Sequence, residues 1–116
     1  MKINSIKTWY FLIYIILILY MSSQSGSSLN WFPNIWKYDK LVHYFEYLIL
    51  GFLLINALSV NGLKKTDWIY SLIFLLIFPV IDEFVQYFTP LRIPSFFDVL
   101  ADVFGGLTGA FIRKYI

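Results

Sequence analysis

Apolar residues fall into four long runs that are separated by short polar segments. The runs cover about residues 6–21, 41–60, 68–88 and 96–112, and most charged residues lie at their ends. An α-helix rises ~1.5 Å per residue, so about 20 residues are enough to cross the hydrocarbon core of a bilayer. The pattern predicts an all-α protein, an integral membrane four-helix bundle that forms a single domain over residues 1–116.

The first run has two interpretations. Lys2 and Lys7, the 13-residue apolar run 9–21 and the small residues of 22–26 have the three-part layout of a cleavable signal peptide. The large aromatic side chains within the run are more typical of a retained membrane helix. We expect the first helix to be retained, and a cleaved signal peptide is the alternative.

Composition supports a membrane protein and excludes several other classes. The chain is 59% hydrophobic, 22% aromatic and only 14% charged, which is more apolar surface than a soluble domain of this size can bury. A net charge of +2 with scattered lysines argues against a nucleic-acid partner, which would need a concentrated basic face. The absence of cysteine excludes disulfides and thiol chemistry.

Basic residues are distributed unequally between the two ends of the runs. Positive residues near membrane helices accumulate on the cytoplasmic side. With the N-terminus inside, the cytoplasmic side holds Lys2, Lys7, Lys64, Lys65, Arg113 and Lys114, and the outer side holds Lys37, Lys40 and Arg92. We therefore predict that both termini are cytoplasmic, and we interpret Lys64, Lys65 and Asp67 as a solvated turn.

Acidic residues gather at the opposite end. Six of the seven carboxylates, the only histidine and Arg92 fall at or just inside the outer ends of the runs. Ionisable groups within a bilayer are costly and are retained mainly for function or pairing. Helical spacing places several of them on common faces: Asp39, His43 and Glu46 on the second run, and Asp82, Glu83 and Gln86 on the third. We predict one polar pocket in the outer half of the bundle.

The fourth run gives the most specific indication of how the bundle packs. Asp98 and Asp102 are four residues apart, and Gly105 and Gly109 continue the same line. Glycines spaced in this way let helix backbones approach closely in lipid. The face that carries them, with both aspartates, is therefore predicted to point into the bundle.

Three ordered motifs in these polar segments resemble a known family. They are Asp39-Lys40-x-x-His43, Asp82-Glu83-x-x-Gln86 and Arg92-x-x-Ser95-x-x-Asp98, together with Ser22-Ser23-Gln24, Tyr47, Gly51 and Gly105-Gly106. In this order they resemble the VanZ-like family of small bacterial membrane proteins over about residues 20–112. The resemblance implies a multi-pass protein of the bacterial cytoplasmic membrane with a role in the cell envelope. It also implies an association with resistance to the lipoglycopeptide teicoplanin.

Two positions depart from the family pattern. Asp102 stands where the family commonly has asparagine, and Leu91 precedes Arg92 where the family often has glycine. A carboxylate in place of a hydrogen-bonding amide would need a proton or a nearby cation. The second difference affects the expected loop geometry more than the chemistry.

Two classes of function remain open, and each uses a different subset of the polar residues. A binding module would engage a lipid headgroup, a lipid-linked wall precursor or an acylated antibiotic, with Arg92 pairing a phosphate or carboxylate. Its candidate binding residues are Asp39, Lys40, Gln86, Arg92, Ser95, Asp98 and Asp102.

An enzyme would instead use acid–base chemistry on a lipid-linked substrate. Its candidate catalytic residues are His43, Glu46, Asp82 and Glu83. A divalent cation held by Glu83, Asp98 and Asp102 is a further option for this class. Each residue also has a structural interpretation, since His43 suits a satisfied interfacial histidine and Asp39 with Lys40 suits a surface pair.

Overall fold

Four long α-helices make up nearly all of the computed structural model, which describes residues 2, 4–23, 39–89 and 95–116, with only the backbone of Asp39. They are α1 (Ile6–Ser23), α2 (Asp39–Leu58), α3 (Lys65–Tyr87) and α4 (Phe96–Tyr115), and the described residues contain no β-strand. A short 3-10 turn, Ser59–Asn61, follows α2 directly. The predicted all-α class with four helices is confirmed.

Local sequence explains where the later helices begin and end. The Ser95 hydroxyl oxygen accepts a hydrogen bond from the Phe97 amide at 3.2 Å, which caps α4. Asp67 in the first turn of α3 accepts a hydrogen bond from the Lys64 amide at 3.3 Å.

The ends of α4 and α2 also have local causes. Arg113 and Lys114 lie in the last turn of α4, where positive charge complements the helix dipole. Gly62, with a φ of 88°, provides the left-handed conformation that separates α2 from α3.

The distribution of side chains is the reverse of that in a soluble protein. Large apolar side chains such as Ile16, Phe84 and Phe104 are at least 60% exposed, whereas Asp82 and Asp102 are at most 1% exposed. Three helical segments, Ile6–Ser23, Lys40–Asn61 and Lys65–Tyr87, are long and apolar enough to cross a membrane. This arrangement is favourable when lipid surrounds the apolar exterior and the polar groups pair inside the bundle.

Helix α4 does not meet the same criterion of length and apolarity. Its 20 residues include Asp98, Asp102, Arg113 and Lys114 along with three glycines. It packs mainly on α2, and both aspartates and all three glycines are buried. The predicted fourth segment is thus a helix that extends three residues beyond the expected end at residue 112, and its two aspartates face the other helices.

The α2–α4 contact depends on glycines that allow backbone to meet backbone. A Cβ atom placed on Gly105 would lie 2.0 Å from the Tyr44 carbonyl oxygen, and one on Gly109 would lie 1.8 Å from the Leu48 carbonyl oxygen. On the facing helix, a Cβ on Gly51 would lie 2.0 Å from the carbonyl oxygen of Gly106. The predicted glycine face of α4 is therefore confirmed, and its partner is α2.

Polar side chains reinforce this contact away from the glycines. The Tyr44 hydroxyl donates to Thr108 Oγ1 at 2.9 Å, and Arg113 Nε donates to Asn56 Oδ1 at 2.9 Å. Because both bonds join α2 to α4, they fix the relative position of these helices along their axes. That position determines which polar residues meet at the far end of the bundle.

Candidate functional site

A group of polar side chains, most of them buried, occupies the end of the bundle where α1 and α3 finish and where α2 and α4 begin. We call this group the polar cluster, and its members are Ser22, Lys40, His43, Tyr47, Asp82, Glu83, Asp98 and Asp102. Each helix contributes at least one member. The cluster is thus assembled only when all four helices pack.

Helices α2 and α4 are joined in the cluster by two charged contacts. Lys40 Nζ pairs with Asp98 Oδ1, and the Lys40 side chain is 52% exposed while that of Asp98 is 3% exposed. One turn deeper, His43 Nδ1 and Asp102 Oδ1 form a hydrogen bond of 2.8 Å. His43 Nε2 lies 3.9 Å from Asp98 Oδ2, so the imidazole stands between the two aspartates.

Asp82 of α3 is held by hydroxyl groups from two other helices. Tyr47 of α2 donates its hydroxyl proton to Asp82 Oδ2 at 2.8 Å, and Ser22 of α1 donates to Asp82 Oδ1. Thr89 then donates to the Ser22 carbonyl oxygen at 3.2 Å. A buried carboxylate is tolerated when it is hydrogen-bonded in this way, and here the same bonds connect α1, α2 and α3.

Glu83 connects the cluster to the outer surface of the bundle. Its Oε1 atom accepts a hydrogen bond from the Ser95 amide at the start of α4, whereas its buried Oε2 atom has no hydrogen-bond partner among the described residues. Glu83 also borders an open groove of about 560 Å³ between α3 and α4. The remaining walls of the groove are apolar, formed by Val80, Phe84, Tyr87, Phe96 and Val99.

The hydrogen-bonded groups of the cluster are close enough to interact electrostatically. Glu83 lies within range of the charges of His43, Asp82 and Asp98, and Asp102 lies within range of Asp82 and Glu46. Coulomb interactions are strong at such separations in a medium of low dielectric constant. A change of charge at one member therefore changes the electrostatic energy of the others.

Most of the residues that the sequence indicated are located at this end of the bundle. Lys40, His43, Asp98 and Asp102 contact one another, and Asp82, Glu83 and Ser95 make the bonds described above. Gln86 is buried at 3% exposure, one turn beyond Asp82. Glu46 is half-buried, and its carbonyl oxygen accepts from the Tyr14 hydroxyl at 2.8 Å. Arg92 and the side chain of Asp39 lie outside the described residues.

Two members of the cluster were not among the candidate site residues. Tyr47 lies four residues after His43, so helical spacing alone could have placed it on the polar face of α2. Ser22 carries no comparable signal, since a serine near the end of a helix is common. Both residues also belong to the motifs that resemble the VanZ-like family.

The three carboxylates suggested as cation ligands face different partners. Glu83 accepts from Ser95, Asp98 pairs with Lys40, and Asp102 bonds to His43. Among the described residues, no three histidine, aspartate and glutamate side chains are placed to hold a metal ion. The predicted set therefore does not come together as a coordination sphere in this part of the chain.

Removing the Tyr47 hydroxyl tests how far the cluster depends on it. We expect Tyr47→Phe to lower the free energy of unfolding by about 1.5–3 kcal/mol, because a hydrogen bond to a charged group is lost. Tyr44→Phe is a matched control that loses a bond to the neutral Thr108 hydroxyl, at a cost of about 0.5–1.5 kcal/mol. Denaturant titration in detergent measures both losses. If Tyr47→Phe lost no more unfolding free energy than Tyr44→Phe, the bond to Asp82 would contribute no more stability than a neutral hydrogen bond.

Comparison with known proteins gives a match to a protein family. No curated protein and no solved structure gives a significant match to the chain. The sequence model of the VanZ/LLP1 family matches residues 7–116, which include every member of the polar cluster and nearly all of the four helices. Together with three helices that can cross a membrane, this match shows that the chain is a membrane protein belonging to the VanZ/LLP1 family.

Proposed function

We propose that this protein binds the polar headgroup of a lipid-linked molecule of the bacterial cell envelope at its polar cluster. The observation that carries the proposal is the gradient of exposure from Lys40 to Asp98 and His43. The Lys40 ammonium is half-exposed at the rim, and the groups behind it are nearly inaccessible. Such a gradient suits a charged headgroup that pairs with Lys40 at the rim while the groups behind it stay inside the bundle.

The apolar groove beside Glu83 supports an amphiphilic ligand. Its walls extend along α3 from Val80 to Tyr87, about 10 Å at ~1.5 Å per residue. A groove of this kind accommodates an acyl chain while the headgroup lies at the polar end. Membrane lipids, lipid-linked wall precursors and acylated antibiotics such as teicoplanin share this chemistry.

We infer further that the protein lies in the cytoplasmic membrane with the polar cluster facing outward and both termini inside. The excess of lysine and arginine at the other end of the bundle supports this orientation. Six basic residues lie at that end, whereas Lys40 is the only lysine or arginine at the cluster end among the residues that the structure describes. Envelope precursors and lipoglycopeptides would then meet the cluster from the outer leaflet.

Cysteine labelling can test this orientation, because the chain contains no cysteine of its own. We expect Ser23→Cys to react with a membrane-impermeant maleimide in intact cells, and Thr66→Cys to react only after the cells are opened. Both positions are exposed in the structure, so accessibility within the protein is matched. Labelling of Thr66→Cys alone in intact cells would reverse the orientation.

Ligand binding can be tested with lipids extracted from a bacterial envelope. Purified protein is incubated with the extract, washed, and the retained lipids are identified by mass spectrometry. We expect selective retention that falls when Val99→Trp fills the groove and when Lys40→Gln removes the charge at the rim. Ile73→Trp, at an exposed site on α3 outside the groove, is the control. Unselective retention that neither groove nor rim variant changes would contradict the proposal.

A second function, catalysis on the same ligand, is favoured by the geometry of His43. A carboxylate that holds one imidazole nitrogen orients the other for acid–base chemistry, and Asp102 Oδ1 lies 2.8 Å from His43 Nδ1. Under this alternative the incubation yields a modified lipid whose formation is lost in His43→Gln or Glu46→Gln. Saturable binding with chemically unchanged lipids favours the binding module.

A further inference from the structure

The end of the bundle opposite the polar cluster carries an unusual concentration of positive charge. Of the nine lysines and arginines in the chain, six lie there, and Asp67 is the only acidic side chain among the described residues at that end. Arg113 and Lys114 are already engaged, since Arg113 donates to Asn56 and Lys114 lies 4.1 Å from the centre of the Trp68 ring. The remaining charge is concentrated around the turn between α2 and α3.

A small cleft lies beneath this turn. It has a volume of about 130 Å³, and its walls include Lys2, Leu58, Val60, Asn61, Lys64 and Asp67. At ~30 Å³ per water molecule, the cleft has room for about four waters or for one phosphate group. Among the described residues, the ammonium groups of Lys2 and Lys64 form no ion pair, in contrast to that of Lys40.

The position of the cleft relative to the apolar segments indicates what it can bind. It lies between the end of one candidate span at Asn61 and the beginning of the next at Lys65, which is the level of lipid headgroups. Leu58 and Val60 provide an apolar wall on the side of the spans. Basic residues directly beside membrane helices attract anionic phospholipids, at about 1 kcal/mol for each lysine or arginine near the surface.

We propose that this cleft binds the phosphate of an anionic phospholipid headgroup, with Lys2 and Lys64 as the pairing cations. The site lies at the other end of the bundle from the polar cluster, so it does not depend on the function proposed above. It assigns a specific role to Lys64, which the sequence alone presented as part of a solvated turn. Asp67 opposes the anion, and its carboxylate also accepts the Lys64 amide proton.

Native mass spectrometry of the delipidated protein in detergent can test the site with phosphatidylglycerol as the probe and phosphatidylcholine as the neutral reference. We expect saturable binding of one phosphatidylglycerol that is tighter than binding of phosphatidylcholine. Lys2→Gln and Lys64→Gln should each weaken phosphatidylglycerol binding by about 5-fold, the factor that corresponds to about 1 kcal/mol. Binding of phosphatidylcholine should not change.

Two further variants distinguish binding in the cleft from general attraction of the lipid to a basic surface. Lys65→Gln removes one positive charge from an exposed position beside the cleft, and it should weaken binding by less than about 2-fold. Asp67→Asn keeps an oxygen that can accept the Lys64 amide proton but removes the opposing charge, so it should tighten binding.

Three results would overturn the proposal. Equal weakening by Lys65→Gln and Lys64→Gln would mean that the attraction is diffuse. Weaker binding in Asp67→Asn would mean that the cleft does not accept an anion. Displacement of phosphatidylglycerol by millimolar inorganic phosphate would mean that the site recognises free phosphate. None of these variants changes a residue of the polar cluster. Failure of the phospholipid proposal would therefore not bear on the proposal that the cluster binds an envelope ligand.

Discussion

Replacing Gly105 or Gly109 by alanine should destabilise the bundle severely. A Cβ atom at either position would lie 2.0 Å or less from a carbonyl oxygen of α2, well inside van der Waals contact. Backbone atoms cannot move aside as a side chain can, so α2 and α4 would have to separate along their whole contact. We expect a loss of about 3 kcal/mol, at the upper end of the usual range for overpacking, although alanine favours helix over glycine by about 1 kcal/mol.

Gly106→Ala is the matched control for this prediction. Gly106 is also buried in α4, but the atom nearest to an added Cβ is Leu75 Cδ2 at 3.0 Å, which belongs to a flexible side chain. The helix-propensity gain therefore offsets most of the packing cost at this site. Thermal unfolding in detergent, followed by circular dichroism, compares the three variants. Equal midpoints for Gly105→Ala and Gly106→Ala would show that α2 and α4 do not meet backbone to backbone.

Much of the fold could be predicted from the sequence because its causes are local. Four apolar runs of sufficient length predict four helices, and the Asp98, Asp102, Gly105, Gly109 line predicts a buried face. Which helix covers that face could not be predicted, since the spacing on α4 gives no information about its partner. Gly51 matches the close approach on α2, but glycine is frequent in membrane helices generally, so a single one does not identify an interface.

The sequence predicts where the polar cluster lies better than it predicts which of its residues pair. Charged residues at the same ends of several helices come together when those helices align. The sequence therefore predicts which end of the bundle holds the cluster. The pairs depend on the rotation of each helix about its axis. The sequence alone does not indicate that Asp98 pairs with Lys40 of α2, as it does in the structure. Ser22 was missed for a related reason, because its bond to Asp82 requires α1 to lie against α3.

The buried pair of His43 and Asp102 allows a prediction about charge within the cluster. His43→Leu should lower the free energy of unfolding by about 3–5 kcal/mol, because it leaves a carboxylate with 0% exposure and no compensating partner. Within the described part of the chain, the second oxygen of Asp102, Oδ2, already lacks a hydrogen bond. Asp102→Asn should cost much less, since the neutral amide still accepts the imidazole proton and carries no charge to desolvate.

The double variant His43→Leu/Asp102→Leu separates loss of the pair from loss of the histidine itself. Removing both partners replaces the hydrogen-bonded pair by apolar groups, so the double variant should be more stable than His43→Leu alone. Denaturant titration of the unsubstituted protein, both single leucine variants and the double variant gives the coupling free energy, which we expect to exceed about 1 kcal/mol for residues in direct contact. Losses that simply add would indicate that the two side chains act independently. In that case the cluster would lack the tight pairing on which the catalytic alternative rests, and headgroup binding would be the remaining use of these residues.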